Sequence, residues 1–249
     1  MKIIGIIQAR QGSSRLKNKV LLEILGKPML WHIHNRLSKC ELLDEVVIST
    51  GEQEKNLEIQ KFAVENNIPI YVGKEVDLID RLYQTALFYD ASAIIRITGD
   101  CPLVDPSMVD KIISNYLNEN EKYDIITNCQ YRTFPHGLDI ELFSFEILKK
   151  MWQEIKEPEL REWFPFYITK NPESFRILNI ENENDLSKFR WTVDYEEDYE
   201  FIKKIYQNLY KINKVFGMND ILKLLNKNKE LNEINSKYVG FHNIDSPKI

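Results

Sequence analysis

Residues 3–19 read IIGIIQARQGSSRLKNK, and their reading decides the fold. Ile3-Ile4-Gly5-Ile6-Ile7 is apolar at both alternating positions, the pattern of a strand covered on two faces and therefore central in a parallel sheet. From Gln8 the chain turns polar: Gly12, Ser13 and Ser14 supply a turn, and Arg10, Arg15, Lys17 and Lys19 bring four cations without an acid. Open α/β sheets bind ligands outside the carboxyl ends of their strands, so a cationic loop in that position is placed to hold a polyphosphate. Arginine offers paired planar donors to phosphate oxygens, and lysine a compact charge. A solvated basic loop has the same composition; its place directly after the central strand favours the phosphate site. The loop is no P-loop, because no second glycine precedes Lys19, and the G-x-G-x-x-G dinucleotide fingerprint is absent.

Outward from this stretch, branched apolar runs at Val46–Thr50, Ile68–Val72 and Ala93–Thr98 alternate with crossover-length segments at Pro28–Cys40, Lys55–Asn66 and Val76–Tyr89. That alternation predicts a parallel sheet with helices on both faces. After Tyr123 the rhythm loosens. Asp124–Thr127, Leu138–Glu141 and Phe175–Leu178 are strand-like, Phe189–Val193 reads as the strand that completes the sheet, and helices follow at about Glu196–Tyr210 and Asn219–Asn226. The chain divides into one domain over 1–226, with an inserted region at about 131–175 for the acceptor or for dimer contacts, and a polar tail over 227–249 expected to fray. The insert's Phe134, Trp152, Trp163, Phe164, Phe166 and Tyr167 carry enough apolar surface to suggest a homodimer.

Of 249 residues 43% are hydrophobic and 29% charged, the composition of a soluble globular protein. With 33 basic against 38 acidic residues the net charge is −5, which gives no field for a nucleic acid partner. Cys40, Cys101 and Cys129 are too far apart for a disulfide framework or zinc spacing and read as buried thiols of a cytoplasmic protein. The first apolar run is too short for a signal-peptide core or a membrane span.

Two aspartates stand at strand ends. Asp100 follows Thr98-Gly99, and Asp194 follows Trp191-Thr192-Val193. One carboxylate from each of two distant strands is an economical way to hold Mg2+ that also takes phosphate oxygens and water. Asp194 could instead cap the next helix, with the acids at 196–198 as its solvated first turn. Asp105 before Pro106 reads as a cap without chemistry. His32 and His34, two apart on a helix, read as surface residues.

Q-A-R-x-G-S-S-R-L-x-x-K-V-L over 8–21, D-R-x-Y over 80–83, R-I-T-G-D-C-P-L over 96–103, P-H-G-L-D-I-E over 135–141 and R-W-T-V-D over 190–194 together resemble one family. It is the cytidylyltransferase family of sialic acid and ketodeoxyoctulosonate activation, in particular its spore-coat polysaccharide biosynthesis branch. The resemblance implies a three-layer α/β/α, Rossmann-like nucleotide-diphosphosugar transferase fold with a mixed, mostly parallel sheet. It implies transfer of a nucleoside monophosphate from a triphosphate, CTP above all, to a sugar-like or phosphorylated acceptor, with release of pyrophosphate. By motif, Arg10, Lys19 and Asp100 would be catalytic, and Asp100 and Asp194 would hold Mg2+. The nucleotide site would comprise Gln8, Ala9, Arg10, Gly12, Ser13, Ser14, Arg15, Lys19, Asp80, Arg81, Thr98 and Gly99. The acceptor site would comprise Asn128, His136, Gly137, Asp139 and Glu141. The 135–141 segment departs from the sugar-acid members, and Asp139 with Glu141 suggests a pocket that disfavours a carboxylate and suits hydroxyl or amino groups. Asp139 or His136 would serve a hydroxyl acceptor as base. Two other readings use related sheets: a nucleotide-sugar-dependent glycosyltransferase, which wants a D-x-D motif, and a non-catalytic nucleotide-binding module, which needs no second carboxylate.

Overall fold

The computed structural model describes residues 1–13, 15–52, 54–119, 122–211 and 215–240. Strand β1 (Ile3–Gln8) is followed by a small hairpin, β2 (Glu23–Ile24) and β3 (Lys27–Pro28), and then α1 (Met29–Leu37). Next come β4 (Glu45–Gly51), α2 (Leu57–Glu65), β5 (Ile70–Gly73), α3 (Leu78–Phe88), β6 (Ala93–Thr98) and α4 (Pro106–Asn118). Then follow β7 (Ile125–Thr127), β8 (Glu141–Ser144), α5 (Phe145–Glu154), α6 (Pro158–Glu162), α7 (Phe164–Lys170), β9 (Ile177–Asn179), α8 (Glu196–Leu209) and α9 (Met218–Lys227). Among the described residues seven strands form one sheet in the order β5-β4-β1-β6-β8-β7-β9.

The period-two reading of β1 holds. Ile3 and Ile7 belong to one apolar core and Ile4 and Ile6 to the other, on opposite faces of the sheet. β1 runs parallel to β4 and β6, with Gln8 level with Ser49 and with Thr98. The three chain segments that leave these strands therefore emerge along one edge. β8 is antiparallel to β6 and β7, and β9 is parallel to β7, so the sheet is mixed in its second half. Asp105 caps α4 by accepting from Ser107 N–H at 3.0 Å, as the sequence predicts.

Several expectations are corrected. The strand expected at Leu138–Glu141 begins only at Glu141, because the Asn128 side chain takes the backbone groups before it. Asn128 Nδ2 donates to Leu138 O at 2.7 Å, and its Oδ1 accepts from Ile140 N–H at 2.9 Å. Buried Asn128 is thus a backbone clamp and has left the acceptor site. Phe189–Val193 does not complete the sheet. It is clasped irregularly: Phe189 O accepts from His136 N–H at 2.9 Å, His136 O from Trp191 N–H at 2.6 Å, and Asp100 O from Val193 N–H at 2.9 Å. His32 is buried, its Nε2 donating to Ile24 O at 2.7 Å. Asp198 is fully buried on Arg190 and is no solvated helix start.

The tail is folded as far as residue 240. Asn235 Nδ2 donates to Arg190 O and to Asp198 Oδ1, both at 2.9 Å, and Tyr238 stacks on Tyr195 at 3.9 Å. Of the insert's aromatics, Phe134, Phe164 and Phe175 are buried, Trp152 stacks on Tyr83, and Trp152, Trp163, Phe166 and Tyr167 stay half-buried.

Gly137 is the hinge of the clasp. Its φ of +107 is open to glycine, and a Cβ there would stand 2.4 Å from the Trp191 carbonyl carbon and from Thr192 N. That backbone role accounts for the glycine. Gly137→Ala should lower the unfolding free energy by more than about 2 kcal/mol, read from the urea midpoint; a loss below about 0.5 kcal/mol would show that the clasp yields.

Candidate active site

At the carboxyl edge of β1 and β6 lies a cleft of about 470 Å³. Its cationic wall is the loop after β1, and its acidic wall comprises Asp100, after β6, and Asp194, at the end of the clasped segment. The two walls meet on one side chain. Lys19 Nζ donates to Asp100 Oδ2 at 2.8 Å and to Asp194 Oδ1 at 2.9 Å, with only 12% of the lysine side chain exposed. Lys19 opens a short 3-10 turn, Lys19–Leu21, preceded by Asn18 in the left-handed region, and this turn aims it back across the loop. Asp194 also receives Arg15 Nη2 at 3.1 Å and Arg190 Nη2 at 2.8 Å. Asp194 is therefore a charge hub, and Asp198 takes the capping role at the start of α8 by accepting from Asp194 and Tyr195 N–H.

Burial would push both carboxyls up, but Lys19 overrides it and holds Asp100 and Asp194 below the ordinary aspartate value. Burial would likewise pull the Lys19 ammonium down, and the two carboxylates hold it above its ordinary value.

Other residues named from the sequence sort cleanly. Gln8, Arg10, Gly12, Ser13, Arg15, Arg81, Thr98 and Gly99 line the cleft, as do His136, Asp139 and Glu141. A Cβ on Gly99 would stand 3.0 Å from Gln8 O, so glycine lets the strand ends close up. Ala9 is buried behind the lining, its N–H donating to Ser49 O at 3.1 Å, and Ser14 lies outside the described residues. Asp80 does not face the cleft. It accepts from Trp152 Nε1 at 2.7 Å in a separate surface recess beside Lys74. Arg81, its neighbour, turns inward. Its Nη1 donates to Lys74 O and Glu75 O at 2.6 and 3.0 Å, and burial draws its guanidinium down to about 10.

The acids of the 135–141 segment are not bare. Arg132 grips Asp139 with two nitrogens, and Arg96 pairs with Glu141 while its Nε donates to Gln8 Oε1 at 2.9 Å. The expectation that these carboxylates repel an anionic acceptor is overturned, since each is neutralised by its arginine. His136 sits with Nδ1 3.3 Å from Arg190 and Nε2 3.9 Å from Asp139, and burial lowers its pKa. The sequence reading leaves Glu75, Arg96, Glu162 and Ile168 out of the site, and Trp163 and Phe166, for which it sets core or dimer packing above an acceptor platform, line the cleft. Glu162 accepts from Arg10 Nη1 at 2.7 Å across the cleft. Contacts spanning 88 or 152 positions leave no local sequence signal.

The charge pattern fits a magnesium nucleotide. Among the described residues no three His, Cys, Asp or Glu side chains gather into a cage. Two carboxylates converge on one cationic atom beside a phosphate-type loop, which is the donor set Mg2+ uses when phosphates and waters complete its shell. A family model described as Cytidylyltransferase matches residues 4–235. The chain belongs to the cytidylyltransferase family. It is 34% identical over 238 residues to an uncharacterized protein of Methanocaldococcus jannaschii, covering 95% of each chain. It is 28% identical to the spore coat polysaccharide biosynthesis protein SpsF of Bacillus subtilis, over 92% of this chain and 95% of that one. Among solved structures, a cytidylyltransferase from Leptospira borgpetersenii superposes with a TM-score of 0.89 at 33% identity, over 93% of this chain and 97% of that one. The fold is also that of a CMP:2-keto-3-deoxy-manno-octonic acid synthetase, with a TM-score of 0.64 at 19% identity over 84% of this chain and 100% of that one. As in other members of the cytidylyltransferase family, the mixed sheet with covering helices is Rossmann-like, and no helix among the described residues is long and apolar enough to cross a membrane.

Removing Lys19 leaves two carboxylates facing one another. Lys19→Met should cost on the order of 2 kcal/mol at pH 7. The sign follows from the depressed aspartates: wild type keeps their contribution above the ordinary value near 3.8 and loses it only below that, whereas the variant's carboxyls take up protons earlier and relieve their repulsion. The gap in urea midpoint should therefore shrink from pH 7 to pH 4.5, and shrink at pH 7 when millimolar Mg2+ is added. A gap independent of both would remove the shared cation position.

Proposed function

We propose that this member of the cytidylyltransferase family transfers CMP from CTP to a sugar-like acceptor for surface polysaccharide or glycoconjugate synthesis. The observation that carries the reading is the Lys19 ammonium held between Asp100 and Asp194 in a cleft walled by Arg10, Arg15 and Gly12. A pure binding module has no use for two carboxylates, one buried and one partly so, beside a phosphate loop, because they repel the ligand unless a cation joins them.

The reaction is an in-line displacement: an acceptor oxygen bonds to the α-phosphorus as the bond to the pyrophosphate oxygen breaks. Asp100 and Asp194 would hold Mg2+, which when bound polarises the α-phosphate and offsets its charge. Lys19, with Arg10 and Arg15, would face the charge that builds on the departing pyrophosphate. For a hydroxyl acceptor, Asp139 is committed to Arg132, which leaves His136 as the base of this reading. Pairing of two copies belongs to the same reading, and light scattering at micromolar concentration decides it.

The direct test is acceptor-dependent release of pyrophosphate from each of CTP, UTP, GTP and ATP with Mg2+. Pyrophosphate from CTP only in the presence of an acceptor supports the reading, and its absence with all four triphosphates overturns it. Lys19→Ala and Arg10→Ala should each lower turnover at least about tenfold, the loss of one charge-assisted contact of roughly 1.4 kcal/mol or more. Asp100→Asn and Asp194→Asn should abolish the Mg2+-dependent rate, and full activity of Asp194→Asn would return that residue to a purely structural part.

A further inference from the structure

We propose that Glu75 is the residue that selects the nucleobase, its carboxylate accepting from the 4-amino group of cytosine. The inference rests on the nucleotidyl-transfer reading of the cleft and adds the group that reads the base.

Glu75 lines the cleft near Gly12 and Arg81, whose Nη1 donates to Glu75 O at 3.0 Å. It is 6% exposed, and the fold makes room for it at a cost that packing does not require. A Cβ on Gly51 would overlap Glu75 Oε2 at 1.6 Å, so β4 must end in glycine for the carboxylate to lie there. One half of the carboxylate is structural: Oε2 accepts from Asn56 Nδ2 at 2.6 Å, and Asn56 Oδ1 in turn accepts from the backbone N–H of Gln11 in the phosphate loop at 2.9 Å. The other half is not. Oε1 is buried and accepts no hydrogen bond, and Lys55 Nζ, 3.1 Å away, is poorly aligned and ends a side chain that is 46% exposed. A buried acceptor without a hydrogen bond is costly, and a ligand donor relieves that cost.

Its neighbour completes a pattern. Arg81 is 1% exposed, and its Nε is likewise buried with no partner although the residue lines the cleft. An acceptor beside a donor matches the edge of cytosine, where the 4-amino group donates and N3 and O2 accept. Uracil reverses the edge at position 4, turning an oxygen toward the carboxylate. The spacing to the phosphate end is short: the position a Cβ would take on Gly12 is 3.8 Å from Glu75 Oε1 and 3.0 Å from Lys55 Nζ. The bare backbone of Gly12 therefore lets a base lie against the loop, displacing the half-exposed end of Lys55.

The test compares kcat/KM for CTP and UTP in wild type and in Glu75→Gln, whose amide keeps the shape and can donate to a 4-oxo group. The ratio of CTP to UTP should fall at least tenfold, chiefly through a gain with UTP. Equal losses with both triphosphates at an unchanged ratio would make Glu75 structural and overturn the assignment. Wild type needs no variant for the second arm: the triphosphate of the pyrimidin-2-one ribonucleoside, which lacks only the 4-amino group, should be used at least tenfold less well than CTP. Equal use of the two overturns the assignment. If no triphosphate is turned over, the transfer reading falls, and calorimetric affinities of wild type for CTP, UTP and the pyrimidin-2-one analogue still decide Glu75 by the same ratios.

Discussion

The placement of one ammonium between two carboxylates sets much of the rest of this structure. Lys19, Asp100 and Asp194 come from the first turn after β1, the end of β6 and a segment 175 residues beyond the lysine, and each is costly to bury alone. Together they demand that β1 and β6 be neighbours in register and that residues 189–194 be drawn over the strand ends. The latter is done by backbone bonds to His136 and Asp100. Arg190 and Asp198 then neutralise the back of the hub. The irregularity of the clasped segment is thus the means by which Asp194 reaches the lysine.

The cleft is balanced at rest. Most of its cations are matched by an acid: Arg10 by Glu162, Lys19 and Arg15 by the two aspartates, Arg96 by Glu141 and Arg132 by Asp139, whereas Arg81 is held by backbone carbonyls. Half-exposed pairs such as Arg10 with Glu162 contribute little to stability and exchange easily for a ligand, whereas the Arg132 fork on Asp139 is geometrically fixed. The Arg10–Glu162 pair is therefore built to change partners and the Arg132–Asp139 pair to keep them.

The parallel half of the fold was legible in the sequence because β1 is apolar at both alternating positions and branched apolar runs alternate with crossover-length segments, and the site because its cations cluster in a run of ten residues. Asp100 and Asp194 were legible as carboxylates at the ends of apolar runs. The misreadings have one physical origin. Phe189–Val193 alternates apolar and polar types like a strand, yet Arg190 to Val193 are all buried, the polar ones on partners outside the sheet, and sequence alternation does not separate the two cases. Asn128 looked like a site residue when its amide was replacing a strand partner. Glu75 and Glu162 meet the loop only through tertiary contact, and nothing near them in sequence marks the meeting. The tail looked dispensable because Asn235 lies in a polar run, yet its amide holds both Arg190 and Asp198.

That last contact has a consequence for biosynthesis. Chains emerge from the ribosome amino end first, and β1 through β6 hold the phosphate loop and Asp100, so half of the site can fold early. The charge hub around Asp194 is finished only when Asn235 locks Arg190 and Asp198. A nascent chain that has passed Asp194 but not yet reached Asn235 therefore holds both carboxylates, but without the amide that fixes Arg190 and Asp198 behind Asp194.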